Sequence, residues 1–241
     1  MDEAAVLAKT SYDFFHDGLE KANEELAEYG FQNYRVDPLL SDSHSVVIDR
    51  PGQSAVVSMR GTATFSDLIP DARIALGAHV IPGGDDRFDE ARGKLSAAIA
   101  KYGDAIPVGH SLGGALALHA ARSAGKRAIA FNPGSSPLGE IPRAVVCSAL
   151  GNCGPSSDVY TTGTDPISYS SYIADGVTDN VIKVPSKKNV DFLTHSLLHF
   201  LPAKQSSSFP SYLDPVDAAT GDTVPVCIAF PELCGKVLER G

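Results

Sequence analysis

A serine between two glycines, where a β-prone run meets an alanine-rich run, is the feature that most constrains this chain. The stretch reads PVGHSLGGAL and covers residues 107–116. "AIPVG" before the serine predicts a short buried strand, and "LGGALALHAARSAG" after it predicts a helix that ends at Gly125. A G-x-S-x-G motif at such a junction is typical of a nucleophile elbow, which would make Ser111 a candidate nucleophile. The alternative is an ordinary serine in a glycine-rich turn.

Strand and helix candidates alternate along the rest of the chain. The pattern predicts an N-terminal helix interrupted at Gly18, then a hairpin around Pro51-Gly52, then a helix that ends at Gly103. These elements cover residues 2–29, 44–62 and 88–103; the strand candidates are 105–109, 127–132, 157–163 and 180–185, with 143–150 as another strand or a helix. The alternation is typical of an α/β fold with a mostly parallel central sheet and helices on both faces.

Length and composition favour one domain over residues 1–241. The chain has 241 residues, 43% of them hydrophobic, and no interior stretch resembles a linker. Within that domain we expect an N-terminal helical segment, 1–43, and a C-terminal surface segment, 202–241, which begins rich in serine and proline. Residues 231–240 predict a last short helix.

Charge excludes some classes of partner. The formal net charge is −9, and no basic stripe of the kind that binds nucleic acid is present. The same charge argues against electrostatic docking on an anionic membrane, so transient contact with a lipid surface would have to use apolar side chains. No run approaches the length of a membrane span, and the acidic N-terminus lacks the features of a signal peptide. We therefore expect an intracellular protein or the mature form of a processed one.

The four cysteines do not form a metal or redox motif. Cys147, Cys153, Cys227 and Cys234 lack the C-x2-C spacing of a zinc or thioredoxin-type site. Free or buried thiols are the expectation, because no secretion signal is present. Disulfides such as Cys147–Cys153 or Cys227–Cys234 remain open.

A serine nucleophile needs a histidine that takes its proton. Three histidines follow Ser111: His119, in the helix after the elbow, and the pair His195 and His199. His195 follows a long loop at a predicted helix start, which suits a general base, whereas His199 lies one turn deeper and is expected to pack. Their spacing of four could suggest a metal pair, but "HSLLH" lacks the glutamate of the H-E-x-x-H motif.

The histidine in turn needs a carboxylate partner. Asp165 in "TTGTDPIS" directly follows a predicted strand, at the edge of the sheet where ligands bind in open α/β folds. Pro166 fixes the turn after it. The rival carboxylates are Asp158, Asp175, Asp179 and Asp191.

Four motifs, in one order along one chain, carry a family resemblance. They are "SMRGTATFSDLIPDARI", "VGHSLGGALALHAA", "TTGTDPIS" and "THSLLHF". Together they resemble the class 3 lipases, serine esterases of the α/β-hydrolase fold, over about residues 44–201.

This resemblance implies roles for five residues. The D-P and H-S-L patterns map onto Asp165 and His195 as partners of Ser111. The R-G-T stretch would supply one half of an oxyanion hole from the Thr62 backbone N–H, and Leu112 after the nucleophile would supply the other. Without the resemblance, R-G-T would be only a turn, with Arg60 in a salt bridge. The stretch from 63 to 88 is short for an amphipathic lid helix.

The expected activity is hydrolysis of a lipid acyl ester, an acylglycerol or a phospholipid, through an acyl-enzyme and without metal or cofactor. A thioesterase or acyltransferase is a neighbouring alternative, because fold and triad do not set the substrate. A hydrolase-fold scaffold with an unused triad, binding a lipid or a protein partner, is an alternative from a different class.

Overall fold

A seven-stranded sheet forms the centre of the molecule, and its strands follow one another in chain order. The computed structural model describes residues 1–61, 86–134, 137–150, 154–163, 165, 167–173, 175–187 and 195–203. The strands are β1 (Arg35–Val36), β2 (Ser45–Asp49), β3 (Ala55–Met59), β4 (Ala105–His110), β5 (Ile129–Phe131), β6 (Ser157–Thr162) and β7 (Asp179–Val184).

The sheet is antiparallel at one side and parallel across the rest. Strands β1 to β3 pair antiparallel, and the β2–β3 connection is the predicted hairpin, with Gly52 at a φ of 78° in its turn. From β3 to β7 every pair is parallel, with His110 opposite Phe131 and Phe131 opposite Tyr160. The carboxyl ends of these strands therefore meet at one edge, which is where open α/β sheets bind ligands.

Helices cover both faces of the sheet. The described helices are α1 (Asp2–Glu28), α2 (Asp86–Tyr102), α3 (Leu112–Ser123) and α4 (Pro137–Leu150), with 3₁₀ turns at Tyr169–Ile173 and Leu197–His199. Gly103 and Gly125 follow α2 and α3 with φ of 80° and 62°, the left-handed conformation that ends many helices. The prediction of an α/β-hydrolase type fold is confirmed, and the ambiguous stretch 143–150 belongs to a helix.

Helix α1 reverses direction at Gly18. Gly18 has φ of 83° and ψ of −174°, which no residue inside a helix adopts. Lys9 before the break forms ion pairs with Asp13 and, at 3.1 Å, with Glu25 after the break. In a straight helix Lys9 and Glu25 would be about 24 Å apart, so the second half of α1 must fold back on the first.

Alternate side chains of the strands enter two separate cores. Val47, Val57 and Met59 pack with α2 and α3 on one face. Their sequence neighbours Val46, Ile48 and Val56 pack on the other face with α1 and with Leu197, Phe200 and Leu201. The period of two along each strand thus assigns one face to the elbow helix and the other to α1.

Some predictions fall outside the part of the chain that the structure describes. Most of the stretch 63–88, which is short for a lid helix, lies outside, because its description begins only at residue 86. So do most of the C-terminal surface segment, from residue 204, with the helix 231–240, and Cys153, Cys227 and Cys234. Cys147, buried in α4, is disulfide-bonded, which differs from the expectation of free thiols. Among the described residues, no helix is both long enough and apolar enough to cross a membrane.

Candidate active site

Ser111 lies in a strained turn between β4 and α3. Its φ is 58° and its ψ is −128°, a combination that side-chain-bearing residues rarely adopt. The backbone holds the turn from both sides, because the Ser111 N–H donates to the Phe131 carbonyl and the Gly134 N–H donates to the Ser111 carbonyl, both at 3.1 Å. The geometry is that of the elbow which the motif predicted.

The glycines around Ser111 are required by close backbone approach. A Cβ at Gly109 would lie 2.2 Å from the carbonyl oxygen of Gly113. A Cβ at Gly113 would lie 2.0 Å from the carbonyl oxygen of Met59, on the neighbouring strand. Both separations are far below any real contact, so only glycine lets the helix begin this close to β3 and β4.

Asp165 lies just beyond the end of β6 and is buried. Its N–H donates to the Thr162 carbonyl at 2.9 Å, which continues the turn off the strand. Its Oδ2 accepts from the Ser168 hydroxyl at 2.6 Å and lies 2.9 Å from Nδ1 of His195, while Oδ1 accepts from the Ile167 N–H at 3.1 Å. Burial opposes ionisation, but His195 and these hydrogen bonds outweigh it, so the pKa of Asp165 lies below its ordinary value.

His195 is buried, and only one of its two ring nitrogens has a hydrogen-bond partner among the described residues. Because a carboxylate only accepts, Nδ1 of His195 carries the proton toward Asp165. Its Nε2 is buried and has no hydrogen-bond partner in the part of the chain that the structure describes. An imidazole held in this tautomer presents a lone pair at Nε2, which is the form that a general base needs.

The segment after His195 is anchored independently. Ser196 caps the 3₁₀ turn Leu197–His199 by accepting from the Leu198 N–H. Nδ1 of His199 accepts from the Lys187 N–H at 3.0 Å, and His199 is fully buried. His199 therefore packs, as predicted, and His195 belongs to a fixed turn rather than to a long helix.

The rival residues contact other groups. Asp158 pairs with Arg127, Asp179 pairs with Arg122, and Asp175 accepts from the Val181 N–H. His119 packs edge-on against Phe88. Asp191 lies outside the described residues. No group of three or more His, Cys, Asp or Glu side chains suited to a metal occurs within the described ranges.

Gly61 of the R-G-T stretch lies against the elbow. A Cβ at Gly61 would be 2.7 Å from the His110 carbonyl oxygen and 3.3 Å from Cβ of Ser111. Arg60 is held by Nε donating to the Ser43 carbonyl at 2.7 Å and by its guanidinium over the Phe15 ring, rather than by a salt bridge among the described residues. Thr62 lies outside the described residues, and Leu112 is the buried first residue of α3.

Two buried residues beside the site, Tyr12 and His110, were missed by the sequence reasoning. The Tyr12 hydroxyl accepts from the Gly61 N–H at 3.1 Å and lies 3.2 Å from Nδ1 of His110. Nε2 of His110 is 2.7 Å from the carbonyl oxygen of His195. The x before the serine in G-x-S-x-G could have drawn attention to His110, but nothing in the sequence links Tyr12 to the elbow.

Comparison with known proteins places the chain in a family. Residues 4–165, about two thirds of the chain, match the family described as "Phospholipase-like: Tle-like phospholipase domain". An extracellular phospholipase A1 of Serratia liquefaciens is 29% identical over 189 residues, which are 73% of this chain and 57% of that protein. The chain thus spans little more than half the length of that relative, and no solved structure matches it.

The family match covers the G-x-S-x-G motif around Ser111 and extends to Asp165. The expectation of a lipid-hydrolase family is confirmed at this level, whereas the narrower resemblance to class 3 lipases stays a prediction. The chain belongs to the family of Tle-like phospholipase domains.

Proposed function

We propose that this protein is a serine carboxylic-ester hydrolase that acts on lipid acyl esters, with Ser111 as nucleophile, His195 as general base and Asp165 as its carboxylate partner. The observation that carries the proposal is the state of His195. Its Nδ1 is hydrogen-bonded to the buried Asp165 carboxylate, and its buried Nε2 has no hydrogen-bond partner among the described residues. Its backbone carbonyl accepts from His110, the residue before Ser111. A buried nitrogen without a partner is costly, so such an atom is expected where it serves chemistry.

In the proposed reaction, Nε2 of His195 takes the proton of the Ser111 hydroxyl as Oγ attacks the ester carbonyl. The tetrahedral intermediate then collapses, and the protonated His195 gives that proton to the departing alcohol oxygen. Water then attacks the acyl carbon as His195 takes a proton from it; the bond to Ser111 Oγ breaks, the fatty acid leaves, and His195 returns that proton to Oγ. Asp165 stabilises the imidazolium at both stages, because its low pKa keeps it ionised.

The backbone N–H of Leu112 and that of Thr62 are the proposed oxyanion donors. Leu112 begins α3, and a helix N-terminus favours the negative charge that develops on the carbonyl oxygen. For Thr62 the support is indirect: the residue before it, Gly61, lies against Ser111.

Among lipid esters, we propose a phospholipid and cleavage of A1 type as the first choice. The support is the family description together with the relative from Serratia liquefaciens, whose name states that activity. An acylglycerol would suit the same machinery, since the proposed chemistry acts on the ester group and does not depend on the rest of the lipid.

We also propose that the protein works in an oxidising compartment. The disulfide at Cys147 supports this, because disulfides persist outside reducing cytosol. The relative from Serratia liquefaciens is named as extracellular. Of the two sequence expectations, this favours a processed protein over an intracellular one.

The test is hydrolysis of phosphatidylcholine vesicles that carry different acyl chains at the two positions. Mass spectrometry of the products should show the fatty acid of the first position and the lysophospholipid that keeps the second. Ser111→Ala should abolish the release. Ser123→Ala, the same change at the exposed end of α3, where Oγ only donates to the His119 carbonyl, should leave it unchanged.

Three outcomes would contradict parts of the proposal. Hydrolysis that survives Ser111→Ala places the nucleophile elsewhere. Release from acylglycerols but not from phosphatidylcholine overturns the choice of phospholipid and leaves the serine esterase. Binding of vesicles without turnover of any ester, thioesters included, favours the scaffold with an unused triad.

A further inference from the structure

We propose that Tyr12 and His110 act as positioning residues, forming one buried chain of hydrogen bonds that fixes His195 and Gly61 relative to Ser111. The inference rests on the proposed function. It assigns a catalytic purpose to α1, an element that contributes no reacting group.

The direction of each hydrogen bond in this chain follows from one fixed acceptor. The His195 carbonyl oxygen can only accept, so Nε2 of His110, 2.7 Å away, carries the proton. Nδ1 of His110 is then an acceptor, and it receives the Tyr12 hydroxyl proton across 3.2 Å. The Tyr12 oxygen in turn accepts from the Gly61 N–H at 3.1 Å. Every donor in the chain has one acceptor.

Burial keeps this arrangement in a single state. Burial lowers the pKa of His110 to about 3, and the neighbouring His195 and His199 imidazoles also lower it, while the hydrogen bond to the His195 carbonyl and the Asp165 carboxylate oppose this. Burial also raises the pKa of Tyr12 to about 12. Neither group therefore changes its protonation at neutral pH, and the neutral His110 keeps one donor and one acceptor.

These hydrogen bonds connect three segments whose relative positions matter for the proposed reaction. His110 precedes the nucleophile, Gly61 precedes the proposed oxyanion donor Thr62, and the anchored carbonyl belongs to the proposed base His195. Each comes from a different stretch of the sequence. Lys187 and His199 fix that segment on one side, and His110 fixes it at His195 itself.

The same contacts cannot be explained by core packing alone. A phenylalanine at position 12 and a leucine at position 110 would fill similar volumes, but they would leave the Gly61 N–H and the His195 carbonyl without these partners. The cost of those unpaired groups would fall on the two turns beside Ser111. A displacement of about 1 Å in such a site can cost about 100-fold in rate.

The experiment compares Tyr12→Phe, His110→Gln and His110→Leu with the wild type. A fluorophosphonate probe gives the labelling rate of Ser111, and phosphatidylcholine hydrolysis gives kcat and KM. All rates are normalised to the folded fraction, measured by near-ultraviolet circular dichroism. Tyr12→Phe, which removes the acceptor of the Gly61 N–H and the donor to His110, should lower the labelling rate and kcat about tenfold, with KM unchanged.

The two His110 variants separate positioning from packing. Both remove the imidazole, but only glutamine can still donate to the His195 carbonyl, so His110→Gln should retain several times more activity per folded molecule than His110→Leu. Tyr34→Phe is the matched control: its hydroxyl donates to Glu3 and accepts from Gln53, away from Ser111, and its loss should leave labelling unchanged.

Equal rates for the Gln and Leu variants, or wild-type labelling in Tyr12→Phe, would overturn the positioning role while leaving the esterase intact. If the wild type itself is not labelled, the proposed function fails, and the inference fails with it. The two failures are thus read from different samples.

Discussion

At the scale of single residues, Ser168 helps to hold the Asp165 carboxylate in place beside His195. Its hydroxyl donates to the same carboxylate oxygen that receives Nδ1 of His195, at 2.6 Å. A hydrogen bond to a charged group contributes about 1.5–3 kcal/mol. We therefore expect Ser168→Ala to lower kcat about tenfold, and Asp165→Asn to lower it about 10⁴-fold by imposing the wrong tautomer on His195.

The matched control for Ser168→Ala is Ser171→Ala in the adjoining 3₁₀ turn. Ser171 is equally buried, and its N–H bonds the Ser168 carbonyl, but no hydrogen bond joins its side chain to Asp165. Steady-state kinetics on one soluble ester would check both. Equal losses in the two serine variants would show that the effect comes from packing of the turn.

At the scale of elements, the meeting of α3 with β3 depends on Gly113. An added methyl would lie 2.0 Å from the Met59 carbonyl oxygen, which is backbone and cannot turn away. Overpacking of this kind costs about 1–3 kcal/mol or more. We expect Gly113→Ala to lower the free energy of unfolding by at least about 2 kcal/mol and to reduce fluorophosphonate labelling, because the elbow must shift.

Gly93 in α2 offers the same substitution without the clash. No atom lies within 4 Å of a Cβ built there, so Gly93→Ala should be neutral or stabilise the protein by up to about 1 kcal/mol. Urea unfolding of both variants gives the comparison. A Gly113→Ala protein as stable as Gly93→Ala would mean that α3 can move off β3.

At the scale of the whole molecule, buried neutral His110 should make the fold sensitive to mild acid. Its pKa is about 3 in the folded protein and 6.5 when exposed. Between pH 3 and pH 6.5 the unfolded chain therefore binds one more proton at His110 than the folded protein does. The contribution of neutral His110 to the free energy of unfolding is complete above pH 6.5 and is lost as the pH falls toward 3. Asp165 becomes relevant only below its ordinary pKa of 3.8.

Urea unfolding at about pH 7.5 and about pH 5 tests this linkage. The wild type should lose more stability between the two than His110→Gln, which has no proton to gain. His44→Gln, at an exposed histidine paired with Glu90, should follow the wild type. Parallel losses in the wild type and His110→Gln would contradict the buried neutral state.

The local features of the sequence predicted most elements, because each has a local cause. Gly103 and Gly125 ended helices where a left-handed residue was required, and Gly52 turned the hairpin. Alternating strands and helices gave the parallel sheet. The stretch 143–150 stayed ambiguous because a short apolar run suits either a strand or a buried helix segment.

Several features could not be predicted because they depend on residues far apart in the chain. The interruption at Gly18 was predicted, but not the reversal that joins Lys9 to Glu25. The expected free thiol at Cys147 was wrong, since composition does not show which cysteines meet.

The candidate site divides in the same way. The sequence by itself determined the elbow around Ser111, because a strand, a tight glycine turn and a helix follow each other within ten residues. It also selected Asp165 and His195 as candidates through their positions after strands and loops. Only the tertiary structure decided that Asp165 lies 2.9 Å from His195 and that Tyr12 lies within hydrogen-bond distance of His110. These pairs are 30 and 98 positions apart, and contacts over such separations are fixed by packing across the sheet and not by local sequence pattern.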